Sequence, residues 1–161
     1  MGVRLKEYEL NISVTKATLA NIEGVSELFN LYRMFYKQEK NLSLASDFIS
    51  ERIRNSESII FVAQIEAGDY VGFTQLYPIF SSVSAKKSWV LNDLFVIKNA
   101  RGLGVAKKLM IAARTLALET NANGIALETS EDNDNAQALY ESLGYEKSNG
   151  VYHYFLSLAS T

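Results

Sequence analysis

Apolar residues at positions 22, 25, 28, 29, 32 and 35 recur at three- and four-residue spacing. Ile22, Val25, Leu28, Phe29, Tyr32 and Phe35 would therefore line one face of a helix, with Thr18 placed to cap it. A second helix is expected from about Ser43 to Arg54. "SIIFVAQIEAGDYVGFTQLYPIF" then gives two runs of β-branched and aromatic residues around "EAGD", the pattern of a hairpin. "SWVLNDLFVI" (Ser88 to Ile97) is nearly unbroken in apolar residues except at Asn92 and Asp93, and predicts a further strand. A helix of about 18 residues follows, ending near Asn121. "GIALETS" reads as a strand, "NDNAQALYESLGY" as a short helix and "VYHYFLSL" as a last strand, while "ELNISVTKA" supplies the first.

The resulting order, β-α-α-β-β-β-α-β-α-β, specifies a mixed sheet with helices packed on it, an α/β or α+β class. The strands near residues 88–97 and 123–130 should be parallel neighbours joined by a right-handed crossover. With one proline, no repeat and no linker-like segment, residues 1–161 read as a single domain.

Composition narrows the chemistry. There is no cysteine, which removes disulfides, thiol nucleophiles and thiolate-bound metals, and the single histidine, His153, argues against a histidine-built metal site or a catalytic triad. No metal is expected. A net charge of −2 gives no sign of nucleic-acid binding. "MGVRLKEYELNISV" lacks the apolar stretch of a secretion signal, and no run is long enough to span a bilayer, so a cytoplasmic protein without a membrane partner is expected.

Between the strand and the long helix lies "NARGLGVAKKLM". A helix N-terminus presents backbone N–H groups without internal partners and a partial positive charge. Gly102 and Gly104 clear the way for an anion to reach those amides, Ala106 is small, and Arg101, Lys107 and Lys108 add charge. A phosphate or pyrophosphate cradle is the reading. The turn fails the Walker A pattern because Gly104 is followed by "VAKK", and it fits the dinucleotide pattern poorly because Lys107 stands at the third glycine.

Arg101, Gly104 and Ala106 form R-x-x-G-x-A, which resembles the [RQ]-x-x-G-x-[GA] motif of the GCN5-related N-acetyltransferases. "NDNAQALYESLGYEK" resembles the same family's second signature through Asn133, Ala136, Leu139, Tyr140, Gly144 and Tyr145. The resemblance implies a mostly antiparallel central sheet with two splayed parallel strands. It implies that acetyl-CoA is the acyl donor, its pyrophosphate held by the amides of Gly102, Leu103, Gly104, Val105, Ala106 and Lys107 beside Arg101. Its pantetheine arm would pair with the backbone of Phe95, Val96 and Ile97, and Asn133 would touch the arm or simply cap a helix. Tyr140 matches the tyrosine that protonates the departing thiolate. Glu128 is the leading candidate for the base, with Asp93 and Asn92 as rivals on the other strand. Because side chains alternate along a strand, only one of those two is expected to face substrate.

An oxyanion donor is expected among the backbone amides near Leu94 to Val96, and His153 is expected to pack. The acceptor would be an amine, whether a small molecule, a polyamine or a protein or peptide amine. Its pocket should be set by the first two helices and a loop after Pro78, although Tyr32, Phe35 and Tyr36 read more readily as core. A homodimer is compatible with the family. The competing readings are a non-catalytic acyl-CoA-binding regulatory domain and a nucleotide-binding protein of another fold.

Overall fold

The computed structural model describes residues 11–158. Residues 1–10, which include the start of the expected first strand and most of the stretch read for a secretion signal, lie outside it. The chain divides into two compact units, Met1–Glu128 and Thr129–Thr161.

In the first unit the order is β1 (Ser13–Lys16), α1 (Ile22–Phe35), α2 (Leu42–Arg54), β2 (Ile59–Gln64), β3 (Tyr70–Ser81), β4 (Lys86–Val96), α3 (Val105–Glu119) and β5 (Ile125–Ala126). The strands form one sheet in sequence order, antiparallel from β1 to β4 and parallel between β4 and β5. Alternation along the strands feeds two apolar layers. Ile60, Val62 and Phe73 pack with Val25, Leu28, Phe29 and Ile49 under α1 and α2. Ala63, Val71 and Val96 pack with Val105 and Leu109 under α3.

Local chemistry accounts for the boundaries. Thr18 does cap, but it caps a short 3-10 turn, Leu19–Asn21, in a reciprocal box with Asn21; α1 starts only after it. Asn41 Oδ1 accepts from the Leu44 amide and opens α2. Pro78 sits inside β3 opposite Trp89, beyond the last β2 partner at Leu76, so β2 requires no N–H from it. The expected loop after Pro78 is therefore mostly strand. Ile79, Phe80 and Ser81 still pair with Ser88, Lys87 and Lys86, because the apolar run can continue as an antiparallel hairpin.

The parallel pair is short. β4 and β5 register only at Trp89↔Ile125 and Val90↔Ala126, while β4 continues to Val96. Among the described residues, "GIALETS" thus forms a two-residue strand, and Glu128 follows it outside the ladder.

In the second unit α4 (Asp134–Ser142) is capped by Asn133, whose Oδ1 accepts from the Ala136 amide at 3.2 Å. The last strand expected over residues 151–158 is not formed among the described residues, which carry no regular secondary structure there. Alternating Tyr, His and Phe confer strand propensity, but a strand also requires a ladder partner, which local pattern does not specify.

Candidate active site

The turn between β4 and α3 is built on glycine. Gly102 has φ 77° and Gly104 φ 80°, a left-handed region costly to residues with a Cβ, and the space where a Cβ would stand is open at both. Leu103 and Val105 turn inward onto a cavity of about 160 Å³ shared with Ile12, Val71 and Ile97. Gly104 opens α3 with no side-chain cap, and the first intrahelical bond is Lys108 N–H to the Gly104 carbonyl at 3.1 Å. The amides of Val105, Ala106 and Lys107 therefore precede the helix's own ladder, and the first turn carries no acidic residue. Such a terminus is able to receive an anion.

Its flanking cations are not equivalent. Arg101 Nε donates to the Val96 carbonyl at 3.0 Å, and its guanidinium lies over the Phe35 ring at 5.7 Å, tying the turn to the end of β4. Lys108 points back and donates to the Ile12 carbonyl at 3.0 Å, so it anchors the start of the sheet.

Higher on β4 the register shifts. Gln75 pairs with Asp93 and Leu76 with Leu91, leaving Asn92 as an extra residue. Trp89 faces α3, where its Nε1 donates to Thr120 Oγ1 at 2.9 Å. Regular alternation from Trp89 would send Asp93 to that same face. The bulge moves it to the α1–α2 face, opposite Gln75. There both Asn92 and Asp93 line one cavity, which overturns the expectation that only one of them can reach it.

The cavity holds about 280 Å³. Phe29, Tyr32 and Arg33 of α1 and Tyr36 at its C-terminal cap line it at i, i+3, i+4 and i+7 spacing, Phe48 from α2, and Tyr77 from β3. Tyr32 packs against the core, as expected, and also lines this cavity, whereas Tyr36 is an exposed wall residue and Phe35 is exposed under Arg101. Helical spacing assigns residues to a face; what that face meets depends on the neighbouring sheet.

Asp93, 3% exposed, lies in this wall with its polar contacts supplied by the protein. Gln75 Nε2 donates to Oδ2 at 2.6 Å, Asn92 Nδ2 to Oδ1 at 2.9 Å, and the Tyr32 hydroxyl also bonds the carboxylate. Gln75 is in turn held by Ser58 Oγ, which donates to its Oε1 at 2.8 Å, and Thr74 Oγ1 donates to the Asp93 carbonyl. Burial, then the charge of Asp93, pushes the Tyr32 phenol well above its ordinary range. The same two causes, opposed by the Arg52 guanidinium, push Tyr77 up to about 12. Both phenols are therefore neutral donors at working pH.

Arg33 was not anticipated as a site residue, and its Nη1 is buried without a hydrogen-bond partner. Gln75 and Tyr77 also escaped the sequence reading. The available signals were a cation on the otherwise apolar face of α1 and a glutamine at an inward position of an apolar strand.

Among the remaining candidates, Phe95 packs under α1 and α2, Val96 is buried under α3, and Ile97 touches both layers. In the second unit Tyr140 lies on α4, its ring 6.1 Å from that of Tyr145, and Asn133 is engaged as the α4 cap. Among the described residues no group of three or more His, Cys, Asp or Glu is gathered as a metal would require, and no helix is long and apolar enough to cross a membrane.

An uncapped helix terminus at the end of a strand, a parallel pair that stops early and a cavity with a buried carboxylate on the same strand define an α+β protein suited to a phosphate-bearing donor and a small acceptor. Comparison with known proteins gives the family. The acetyltransferase (GNAT) family model matches residues 25–145. An uncharacterised N-acetyltransferase of Bacillus subtilis, YhfO, is 42% identical over 91% of this chain and 98% of its own length. A probable acetyltransferase of Haemophilus influenzae is 31% identical over 81% of this chain and 88% of its own. The crystal structure of a probable acetyltransferase superposes with a TM-score of 0.86 at 37% identity, covering 92% of this chain and 99% of that one. The chain belongs to the GCN5-related N-acetyltransferase family and is an acetyl-CoA-dependent N-acetyltransferase.

Proposed function

We propose that residues 1–161 act as one domain that transfers the acetyl group of acetyl-CoA to a primary amine by direct attack within a ternary complex. The observation that carries this reading is the buried Asp93 carboxylate in the wall of an open cavity, on the strand that ends in the glycine turn. The turn holds the pyrophosphate on the amides of Gly102 to Lys107, and the backbone of Phe95 to Ile97 receives the pantetheine arm where β4 has outrun β5.

An alkylammonium has a pKa near 10.4, so only roughly one molecule in a thousand is neutral at pH 7. Asp93 collects the charged form, and the bound amine gives up its proton to Asp93 or, by relay, to Glu128. Attack forms the C–N bond and breaks C–S, with Tyr140 donating to the departing thiolate. Fixing amine and thioester in one site supplies much of the acceleration.

The test is thiol release from acetyl-CoA against a panel of amines, with pH–rate profiles of Asp93→Asn and Glu128→Gln. The variant that loses the acidic limb identifies the base. Acetyl-CoA that binds and is turned over with no amine would refute the transfer reading. A melting-temperature rise with acetyl-CoA and none with ATP or NAD checks the donor. At about 100 times Kd the expected gain is about 2.7 kcal/mol, roughly 5–10 °C.

A further inference from the structure

The cavity contains two opposite charges that do not neutralise each other. Asp93 and Arg33 both line it, yet no ion pair joins them among the described residues. Asp93 is surrounded by donors from Gln75, Asn92 and Tyr32. Arg33 presents a buried Nη1 with no acceptor at all. Leaving a buried guanidinium nitrogen unpaired is costly, and proteins rarely do so without a use for it. Between and around the charges the wall is aromatic, formed by Phe29, Tyr32, Tyr36 and Tyr77.

We infer that the acceptor is a free amino acid with an apolar side chain. Its ammonium sits at Asp93, its carboxylate at Arg33, and its side chain lies along the aromatic wall. The inference rests on the acetyl-transfer reading and names the substrate class for that site. The nitrogen end is assigned to Asp93, which lies on the strand that ends in the glycine turn, and the carboxylate end, which does not react, to Arg33 on α1. A guanidinium binds a carboxylate through two parallel N–H donors, a geometry that an amide or a methyl group cannot match. A simple alkylamine would leave Arg33 unpaired, and a peptide N-terminus would offer it only an amide oxygen.

The balance is complete without a further reactant. The ammonium loses two protons, one before attack and one ending on the coenzyme's sulfur, as the C–N bond replaces C–S. The product amide is neutral at nitrogen and keeps only the Arg33 contact, so acetylation itself weakens the hold on the product.

The experiment compares leucine, leucinamide and isoamylamine as acceptors, for the native chain and for Arg33→Met. These share the apolar body and the amine and differ in the carboxylate. For the native chain kcat/KM should be at least about 30-fold higher for leucine than for either analogue, the scale of a lost buried charge contact. In Arg33→Met that preference should shrink to within about threefold, with Arg33→Lys restoring part of it. A native enzyme that transfers equally well to leucinamide or isoamylamine keeps the transfer reading and overturns the amino-acid assignment. So does an Arg33→Met variant that retains the preference.

Calorimetric titration of the same three compounds into the protein with coenzyme A bound separates the remaining cases. Binding of leucine alone, without turnover, supports the assignment and removes only the transfer reading. Absence of both binding and turnover overturns the amino-acid assignment, and the wider amine panel then decides the transfer reading. The melting temperature of each variant with acetyl-CoA confirms that it is folded.

Discussion

Replacing Gln75 by leucine tests whether the buried polar chain holds Asp93 in place. Gln75 is fully buried and bridges Ser58 Oγ at 2.8 Å to Asp93 Oδ2 at 2.6 Å. Leucine fills nearly the same volume, so the loss is polar and no cavity term is added. A hydrogen bond to a charged group contributes roughly 1.5–3 kcal/mol, and orphaning the Ser58 hydroxyl costs roughly 1 kcal/mol more. A total near 3 kcal/mol is a large share of the roughly 5–15 kcal/mol that holds a domain folded. For a chain of this length it lowers the melting temperature by roughly 6–12 °C. Calorimetry or urea unfolding with an unchanged m-value would measure it, with Ser58→Ala as the control at about one third of the effect. Acceptor KM should rise while acetyl-CoA affinity holds. A Gln75→Leu variant that melts within about 2 °C of the parent would refute the chain Ser58–Gln75–Asp93. Gln75→Glu sharpens the test. It sets two carboxylates side by side, which raises the pKa of one of the pair. A raised folded-state value means that stability is present at low pH and lost as pH rises through it, so this variant should approach parental stability only in acid.

Three further outcomes are expected. Tyr140→Phe should cut acetyl transfer at least tenfold while leaving acetyl-CoA affinity within a few-fold; unchanged turnover would remove Tyr140 from the mechanism. Gly104→Ala places a Cβ residue at φ 80° in open space, so its cost is conformational, about 1–2 kcal/mol or roughly 2–8 °C, with weaker acetyl-CoA binding by titration calorimetry. Tyr77 has a folded-state value near 12 against 10 unfolded, so the stability it contributes is complete below pH 10 and lost as pH rises toward 12. Tyr77→Phe should accordingly flatten the decline in melting temperature between those pH values, and an unchanged slope would count against a buried Tyr77.

Much of the scaffold was legible because its signals are local. The stripe from Ile22 to Phe35, the hairpin around "EAGD" and the strand–glycine–helix junction each carry their periodicity within a dozen or so residues, and each appears close to where it was expected. Gly102 and Gly104 were legible for a similar reason: a left-handed residue is a property of one position, and only glycine occupies it without cost. Less legible were features that require a partner. Thr18 is a cap wherever a helix begins, but whether that helix is α or a 3-10 turn depends on where the chain then packs. The string "VYHYFLSL" has strand chemistry without stating what would pair with it.

The bulge at Asn92 shows why the acceptor cavity was hardest to foresee. A register shift is a relation between two strands, and "VLNDLF" reads the same with or without one. Strict alternation from Trp89 places Asp93 against α3, where Val105 and Leu109 would leave its carboxylate without donors. The extra residue transfers it to the face where Gln75, Tyr32 and Asn92 stand ready, so the cost of one unpaired backbone position is offset by a hydrogen-bonded carboxylate. A buried acid inside an apolar strand, with a polar neighbour beside it and a glutamine at an inward position of the preceding strand, is therefore a pattern with two solutions. One is a core carrying an orphaned charge, and the other is a bulge that opens a site. Only the second gives the carboxylate its donors.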